Sequence, residues 1–174
     1  MNRRKHWLLV GVLCLASCTA AQKPSWRSTY DSGLKAYQQG RYNDAEKLYL
    51  SALKEAESSK TQDLRLAMTL NDLGLALHAQ GKYAEAETRY KRALVIWEKI
   101  LGPSHAVTAV TLTNLAALYS KQAKYSDAEP LYKRALQIRR ETLGPGHPDV
   151  DINLNDLAQL YRDQGKNAAA EALT

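Results

Sequence analysis

Apolar residues follow a helical period over much of this chain. Leu112, Leu115, Ala116 and Tyr119 fall at positions i, i+3, i+4 and i+7, and residues 155–164 repeat that spacing. Such spacing places the apolar side chains on one side of a helix, where a neighbouring helix can cover them. The pattern therefore predicts an all-α fold.

A short motif recurs along the chain at an almost fixed interval. It reads Gly-x-Tyr-x-x-Ala-Glu-x-x-Tyr-x-x-Ala-Leu, and its copies begin at residues 40, 81, 123 and 165, which are steps of 41, 42 and 42 residues. The third copy has Ala123 in place of the glycine, and the fourth has Asn167 in place of the tyrosine. Self-similarity at a fixed period indicates a repeat protein, in which each unit packs on its neighbours.

Turn residues divide each repeat into two helices. Gly81 and Gly165 are predicted to end a first helix with positive φ, and Ala123 at the same site predicts a slightly strained or different turn. Leu-Gly-Pro at residues 101–103 and 143–145 is predicted to end the second helix. Ser-Asp-Ala-Glu at residues 126–129 predicts a capping box that opens a second helix.

This motif and its 42-residue period resemble the tetratricopeptide repeat (TPR), in particular the kinesin-light-chain-like variety. The resemblance covers about residues 27–174, with repeats at about 27–60, 67–101, 108–143 and 150–174. It implies a right-handed α-solenoid over residues 26–174, whose first helices line a concave groove. Proteins of this family bind other proteins or peptides, which implies a binding role without catalysis.

The resemblance also places particular residues in the groove. Asp31, Asp72, Asn114 and Asp156 lie at matching heights, where an Asn typically hydrogen-bonds the backbone of an extended peptide and an Asp only accepts. The expected basic clamp for a C-terminal carboxylate is broken, so a polar or mildly basic peptide is favoured. The alternative is that these side chains are solvated or cap neighbouring helices. The groove positions are Tyr30, Asp31, Leu34 and Tyr37, then Asn71, Asp72, Leu75 and His78, then Asn114, Ala117, Ser120 and Lys121, and finally Asn155, Asp156, Gln159 and Arg162.

The first residues have the order of a secretory signal. Asn-Arg-Arg-Lys at residues 2–5 precedes an apolar run at 7–16, which is much shorter than the roughly 20 residues that span a bilayer. Leu-Ala-Ser-Cys at residues 15–18 resembles the bacterial lipobox, in which the cysteine is acylated. We therefore expect a signal peptide at 1–17, a lipid on Cys18 and a short tether over 18–25. A retained transmembrane helix and an ordinary signal peptide are the alternatives.

The residue after the cysteine favours one membrane. In Gram-negative bacteria an aspartate there retains a lipoprotein in the inner membrane, whereas this chain has Thr19. The expected location is the outer membrane, facing the periplasm.

Composition and motifs exclude several classes of function. Three of the six net positive charges lie in the leader, and the remaining +3 (6 − 3) is too weak for a nucleic-acid surface. Cys14 and Cys18 are the only cysteines, so the folded part offers no thiol site. His105 and His147 precede first helices and are interpreted as caps rather than metal ligands. No catalytic triad, phosphate loop or zinc motif occurs, so we expect neither enzyme activity nor a cofactor or metal.

Together these patterns predict a membrane-anchored adaptor of the bacterial cell envelope, which binds a protein or peptide partner in a TPR groove. A self-associating structural subunit, acting as a homo-oligomer, is one alternative, and the anchored stub of a longer TPR protein is another. Glu85, Glu87 and Glu129 are interpreted as solvated surface charge and cap residues.

Overall fold

The computed structural model describes residues 25–58 and 63–173. These residues form helices and connecting turns, without a strand in the described ranges. The leader, Cys18 and most of the tether lie outside the described residues. The helices are α1 (Trp26–Gln38), α2 (Tyr42–Ser58), α3 (Leu64–Ala79), α4 (Tyr83–Leu101), α5 (Ala106–Lys121), α6 (Tyr125–Leu143), α7 (Pro148–Asp163) and α8 (Asn167–Glu171).

The helices form four antiparallel hairpins that stack in chain order. Each first helix (α1, α3, α5, α7) packs on the second helix that follows it (α2, α4, α6, α8), and each hairpin packs on the next. The backbones of successive first helices also approach one another, whereas successive second helices in the described ranges lie farther apart and meet through long side chains, such as Arg92 of α4 with Glu57 of α2. The stack therefore curves with the first helices on its inner side. This confirms the predicted all-α solenoid of helical hairpins.

In each of the first two hairpins, a tyrosine of the second helix packs against a glycine of the first helix. Tyr49 and Tyr90 are almost completely buried on the second helices, and their rings lie on Gly33 and Gly74 of the first helices. A Cβ added at Gly74 would lie 2.6 Å from Cε1 of Tyr90. The Tyr49 ring therefore fills the space that a side chain at Gly33 would occupy.

The turns between the two helices of a hairpin need a left-handed residue. Gly40, Gly81 and Gly165 have φ of 72°, 75° and 75° there, and Ala123 is forced to 55°. Of the two outcomes expected at Ala123, a strained or a different turn, the structure has the strained one. A side chain disfavours this region because Cβ approaches the following carbonyl oxygen.

The predicted capping box is wrong. Helix α6 begins at Tyr125, and its N-cap, Lys124, makes no side-chain capping hydrogen bond. The backbone N–H of Lys124 instead donates to the carbonyl of Tyr119 at 2.9 Å, so the tight turn sets the start of the helix. Ser126 therefore lies inside the first turn of α6, beyond the N-cap position.

Histidines cap α5 and α7, as the sequence predicted. Nδ1 of His105 accepts a hydrogen bond from the N–H of Val107 at 3.2 Å, and Nδ1 of His147 accepts from Asp149 at 3.1 Å. Each imidazole satisfies one of the unpaired donors at a helix N-terminus.

Across residues 25–58 and 63–173, none of the helices combines the length and the apolar character that crossing a bilayer requires. The finding does not extend to the leader.

Ala123→Gly tests the strain at the third turn. We expect the variant to raise the free energy of unfolding by about 0.5–1 kcal/mol, because relief of the left-handed strain exceeds the added flexibility of the unfolded chain. Urea unfolding followed by circular dichroism measures it. Gly146→Ala is the matched control, since an added Cβ there meets no atom within 4 Å and the backbone lies outside the left-handed region. A less stable Ala123→Gly variant would contradict the strain.

Candidate binding groove

The predicted groove residues lie on the first helices, but many of them bind one another. Tyr30 of α1 donates its hydroxyl to a carboxylate oxygen of Asp72 on α3. Asn71 donates to the other oxygen of Asp72 at 2.9 Å. Oδ1 of Asn71 accepts from Thr111 at 3.1 Å and from Asn114 at 3.2 Å, both on α5. We call these five residues the polar ladder, and it joins three successive repeats on the inner side of the stack.

Burial governs the electrostatics of the polar ladder. Removal from water raises the pKa of Asp72 above its usual range, against the hydrogen bonds from Tyr30 and Asn71, which act to lower it. Burial, followed by the charge of Asp72, raises the pKa of the Tyr30 hydroxyl far above its ordinary value. The hydroxyl therefore stays protonated and remains a donor to Asp72.

Other predicted groove residues make aromatic contacts or surface ion pairs. The ring of Tyr37 lies 5.3 Å from that of Tyr42, and His78 meets Tyr83 edge-on at 5.7 Å. Burial, with a smaller effect of the charge of Lys121, lowers the pKa of His78. Asp31 is exposed and pairs with Arg27 at 3.0 Å.

The fourth repeat presents a more open polar surface. Asn155 and Arg162 are exposed, and Arg162 donates to Gln159 at 3.0 Å. Burial raises the pKa of Asp156, and Arg139 partly opposes that shift. A cleft of about 240 Å³ lies between α5 and α7, lined by Ala117, Ser120, Lys121, Tyr132, Asp156, Gln159, Leu160 and Asp163.

A larger apolar cavity lies between the N-terminal halves of α3 and α5, with a volume of about 540 Å³. We call it the α3–α5 socket. The repeat pattern does not reveal it, and the one signal in the sequence is Trp97, at a position where the neighbouring repeats have Ala56 and Arg139. Its apolar walls are Leu64, Met68, Trp97, Leu101, Val107 and Val110, and Tyr30, Asn71, Asp72, His105 and Thr111 complete it.

Two glutamates interpreted as solvated charge instead join successive repeats. Glu87 accepts a hydrogen bond from the Tyr119 hydroxyl at 2.9 Å, and Glu129 accepts from Tyr161 at 3.1 Å. Both carboxylates are partly buried, and hydrogen bonds from nearby lysines lower their pKa values. The repetition of this pair indicates a contact that sets the position of one repeat on the next.

Within the described ranges, no three His, Cys, Asp or Glu side chains come together in a way that could hold a metal ion. The inner face carries apolar surface, hydrogen-bonding groups and isolated charges. Groups of these kinds line the sites at which proteins bind ligands.

The comparison with protein families decides the identity of the fold. The model of the tetratricopeptide repeat matches residues 28–94, 65–141 and 124–173, which together cover most of the chain. The chain belongs to the tetratricopeptide repeat family. TPR proteins generally act as scaffolds for protein–protein contacts, and no catalytic family is indicated. A comparison with curated proteins returned no match.

Solved structures share the TPR fold. BtubC (BKLC) from P. vanneervenii is 25% identical, with a TM-score of 0.80 over 86% of this chain, and the chain spans 60% of the length of that protein. A second structure contains the nearly identical TPR-like repeats of a kinesin light chain from Podosopora anserina. It is 22% identical to this chain, with a TM-score of 0.76, and the match covers 84% of this chain and 70% of that one. The apo form of RapI is 14% identical, with a TM-score of 0.73, covering 86% and 40%.

Tyr30→Phe tests the polar ladder. We expect it to lower the free energy of unfolding by about 1–2 kcal/mol at pH 7, because a partly buried carboxylate loses a donor. Tyr37→Phe is the control, since its hydroxyl makes no hydrogen bond with any described residue. Chemical unfolding at several pH values measures both variants.

The effect should depend on pH in a defined direction. The folded pKa of Asp72 is raised above the ordinary 3.8, so its contribution to stability is present below pH 3.8 and is lost as the pH rises through the folded value. The hydroxyl of Tyr30 opposes that loss, because it donates a hydrogen bond to the charged carboxylate of Asp72. The difference between the wild-type protein and Tyr30→Phe should therefore shrink as the pH falls toward 3.8. A difference independent of pH would argue that Asp72 is not the partner that matters.

Proposed function

We propose that this TPR protein is a membrane-anchored adaptor of the bacterial cell envelope, which holds a partner protein or peptide in the groove of its first helices. The observation that carries the proposal is the inner face itself. Two clefts open there between successive first helices, one apolar and one polar, at a surface that the stack leaves uncovered. Because fold alone does not fix function, the proposal rests on these surfaces.

The groove suits a peptide better than a small substrate. Its clefts lie one repeat apart along a curved face, with exposed polar side chains such as Asn155, Lys121 and Arg162 beside them. An extended chain can fill several such clefts at once and meet polar groups between them. The partner is therefore a segment that crosses at least two repeats.

The anchor is proposed from the sequence. Cys18 lies outside the described residues, and the order of charged, apolar and small residues before it supports lipidation. Six residues separate it from Ser25, the first residue that the structure describes, so a lipid there would hold the groove close to a membrane. Thr19 supports placement at the outer membrane, facing the periplasm.

Photo-crosslinking from the groove tests the binding role. A crosslinking amino acid in place of Ala117, on the inner side of α5, is expected to capture one defined envelope protein in living cells. Val95 on α4 is 61% exposed and belongs to a second helix, so the same amino acid there is the control. Capture from both positions alike, or from neither, would contradict a groove partner. Ala117→Arg should abolish capture of that partner by a second crosslinker at residue 155.

Intact-mass analysis of the membrane-extracted protein tests the anchor. The native chain is expected to begin at residue 18 and to carry a diacylglyceryl group, because acylation and cleavage accompany each other in lipoproteins. Cys18→Ser should lose both the added mass and the membrane association. An unmodified Cys18 in the native chain would remove the anchor from the proposal and leave the groove untouched.

Self-association is a second candidate, and the exposed side of α7 supports it. Ile152 on α7 is 56% exposed. A second copy that covered this side would bury apolar surface. Light scattering of the native protein and of Ile152→Lys, each in the same detergent, should then show a dimer that the variant loses. A monomer at all concentrations argues for the adaptor alone.

A further inference from the structure

The two edges of the stack differ in character. One edge carries the turns inside the hairpins, and each of these turns holds a cation, namely Arg41, Lys82, Lys124 or Lys166. The other edge carries the turns between hairpins, where second helices end and first helices begin. We call it the inter-repeat edge. Residues 100–120, which include its turn between α4 and α5, contain no Asp, Glu, Lys or Arg.

Exposed apolar side chains concentrate at the inter-repeat edge. The described ranges contain eight large apolar residues with exposed side chains, and five of these lie within five residues of a helix end at this edge. The remaining three lie elsewhere on their helices. The five are Leu64 (44% exposed), Ile100 (39%), Val110 (43%), Leu143 (37%) and Ile152 (56%). The edge therefore presents apolar surface to its surroundings.

The turn between α4 and α5 can leave water at low cost. Its Gly102 carbonyl accepts a hydrogen bond from the hydroxyl of Thr108 at 3.1 Å, and its Pro103 carbonyl accepts from Arg134 at 3.1 Å. Pro103 has no N–H to satisfy. Polar backbone groups that are already bonded lose little when water is removed from them. The turn therefore combines an uncharged, partly apolar surface with a satisfied backbone.

The expected lipid anchor approaches the stack at this same edge. Ser25 is the N-cap of α1, so the tether from Cys18 enters at the N-terminal ends of the first helices. The seven steps from residue 18 to residue 25 span at most about 25 Å. A first helix of 16 residues, such as α5, is itself about 24 Å long. A lipid on Cys18 would therefore hold the inter-repeat edge, and not the opposite edge, next to the membrane.

We infer that the inter-repeat edge docks on the lipid bilayer, with the turn between α4 and α5 and the side chain of Ile100 inserted among the lipids. This inference rests on the anchor of the proposed function and adds an orientation to it. The first helices then stand on the membrane, and the groove between them stays open to a partner. The acids Glu141, Asp149 and Asp151 lie near the next turn, so the docking is apolar and needs no anionic lipid.

Spin labels on the two edges provide a direct test. The full, membrane-extracted chain is placed in phosphatidylcholine nanodiscs, with one label on a cysteine introduced at Ser104 or at Ser126. Both serines are exposed, and they lie at opposite edges of the third repeat. Oxygen, which concentrates in lipid, should relax the label at 104 more strongly than a water-soluble nickel chelate does. The order should be reversed for the label at 126.

Two matched variants link the position of the label to apolar docking. Ile100→Glu should return the label at 104 to water, because a carboxylate among lipids is costly. Val95→Glu changes another exposed residue of α4, away from the edge, and should leave the label in lipid. Thermal unfolding by circular dichroism verifies that both variants fold. A label at 104 that is relaxed chiefly by the nickel chelate, or one that stays in lipid with Ile100→Glu, would overturn the inference.

Other occupants of the edge give different results in the same samples. Dipolar broadening between labels at 104 would assign the edge to a second copy of the chain. A label at 104 that is shielded from both oxygen and the chelate would assign it to another protein. Either result overturns the inference.

Failure of the inference also differs from failure of the proposed function. Intact mass of the labelled samples shows whether Cys18 carries lipid. A lipid on Cys18 together with a water-exposed label at 104 keeps the anchor and overturns the docking. An unmodified Cys18 with the label at 104 in lipid removes the anchor and keeps the docking. Capture of the envelope partner through residue 117 in the Ile100→Glu variant would leave the adaptor role standing in either case.

Discussion

The contact of a buried tyrosine ring with a glycine on the facing helix sets the distance between the two helices of the first two hairpins. The rings of Tyr49 and Tyr90 lie so close to Gly33 and Gly74 that a Cβ would fall within 3 Å of them. Completely buried alanines at residues 45, 86 and 128 allow the same close approach from the second helices. Because the two helices of a hairpin approach closely, the first helices of successive hairpins also contact one another. The stack therefore curves around a groove.

That curvature explains why polar residues on the inner side engage each other. Neighbouring first helices lie close enough for side chains at matching heights to meet, so Tyr30 reaches Asp72 and Asn114 reaches Asn71. The ladder stabilises the groove and at the same time uses up hydrogen-bonding groups that a peptide would otherwise engage. The ladder leaves other surfaces of the inner side open, namely the α3–α5 socket and the exposed side chains of α7.

The sequence was sufficient for the fold because repetition makes each local signal count several times. The repeat period predicted the paired helices, and the turn glycines and Ala123 marked the left-handed turns between them. The histidine caps followed from the place of these residues before first helices. The capping box failed because a local match at residues 126–129 ignored the backbone turn that already starts α6. The groove residues were placed on the correct helices, but sequence spacing does not show which polar groups pair across repeats. For the same reason Glu87 and Glu129 were interpreted as solvated, although tyrosines of the next repeat bind them.

The socket was missed because it depends on a difference between repeats, whereas repeat analysis looks for what they share. Trp97, Ala56 and Arg139 occupy one position in three repeats, and their differing sizes and charges decide whether a cavity forms. In a repeat protein the common residues build the stack, since each must serve the same contact in every unit. Residues that depart from the repeat at groove-facing positions are free of that constraint. Such departures are therefore the places where one repeat of the scaffold can differ in shape and surface chemistry from the next.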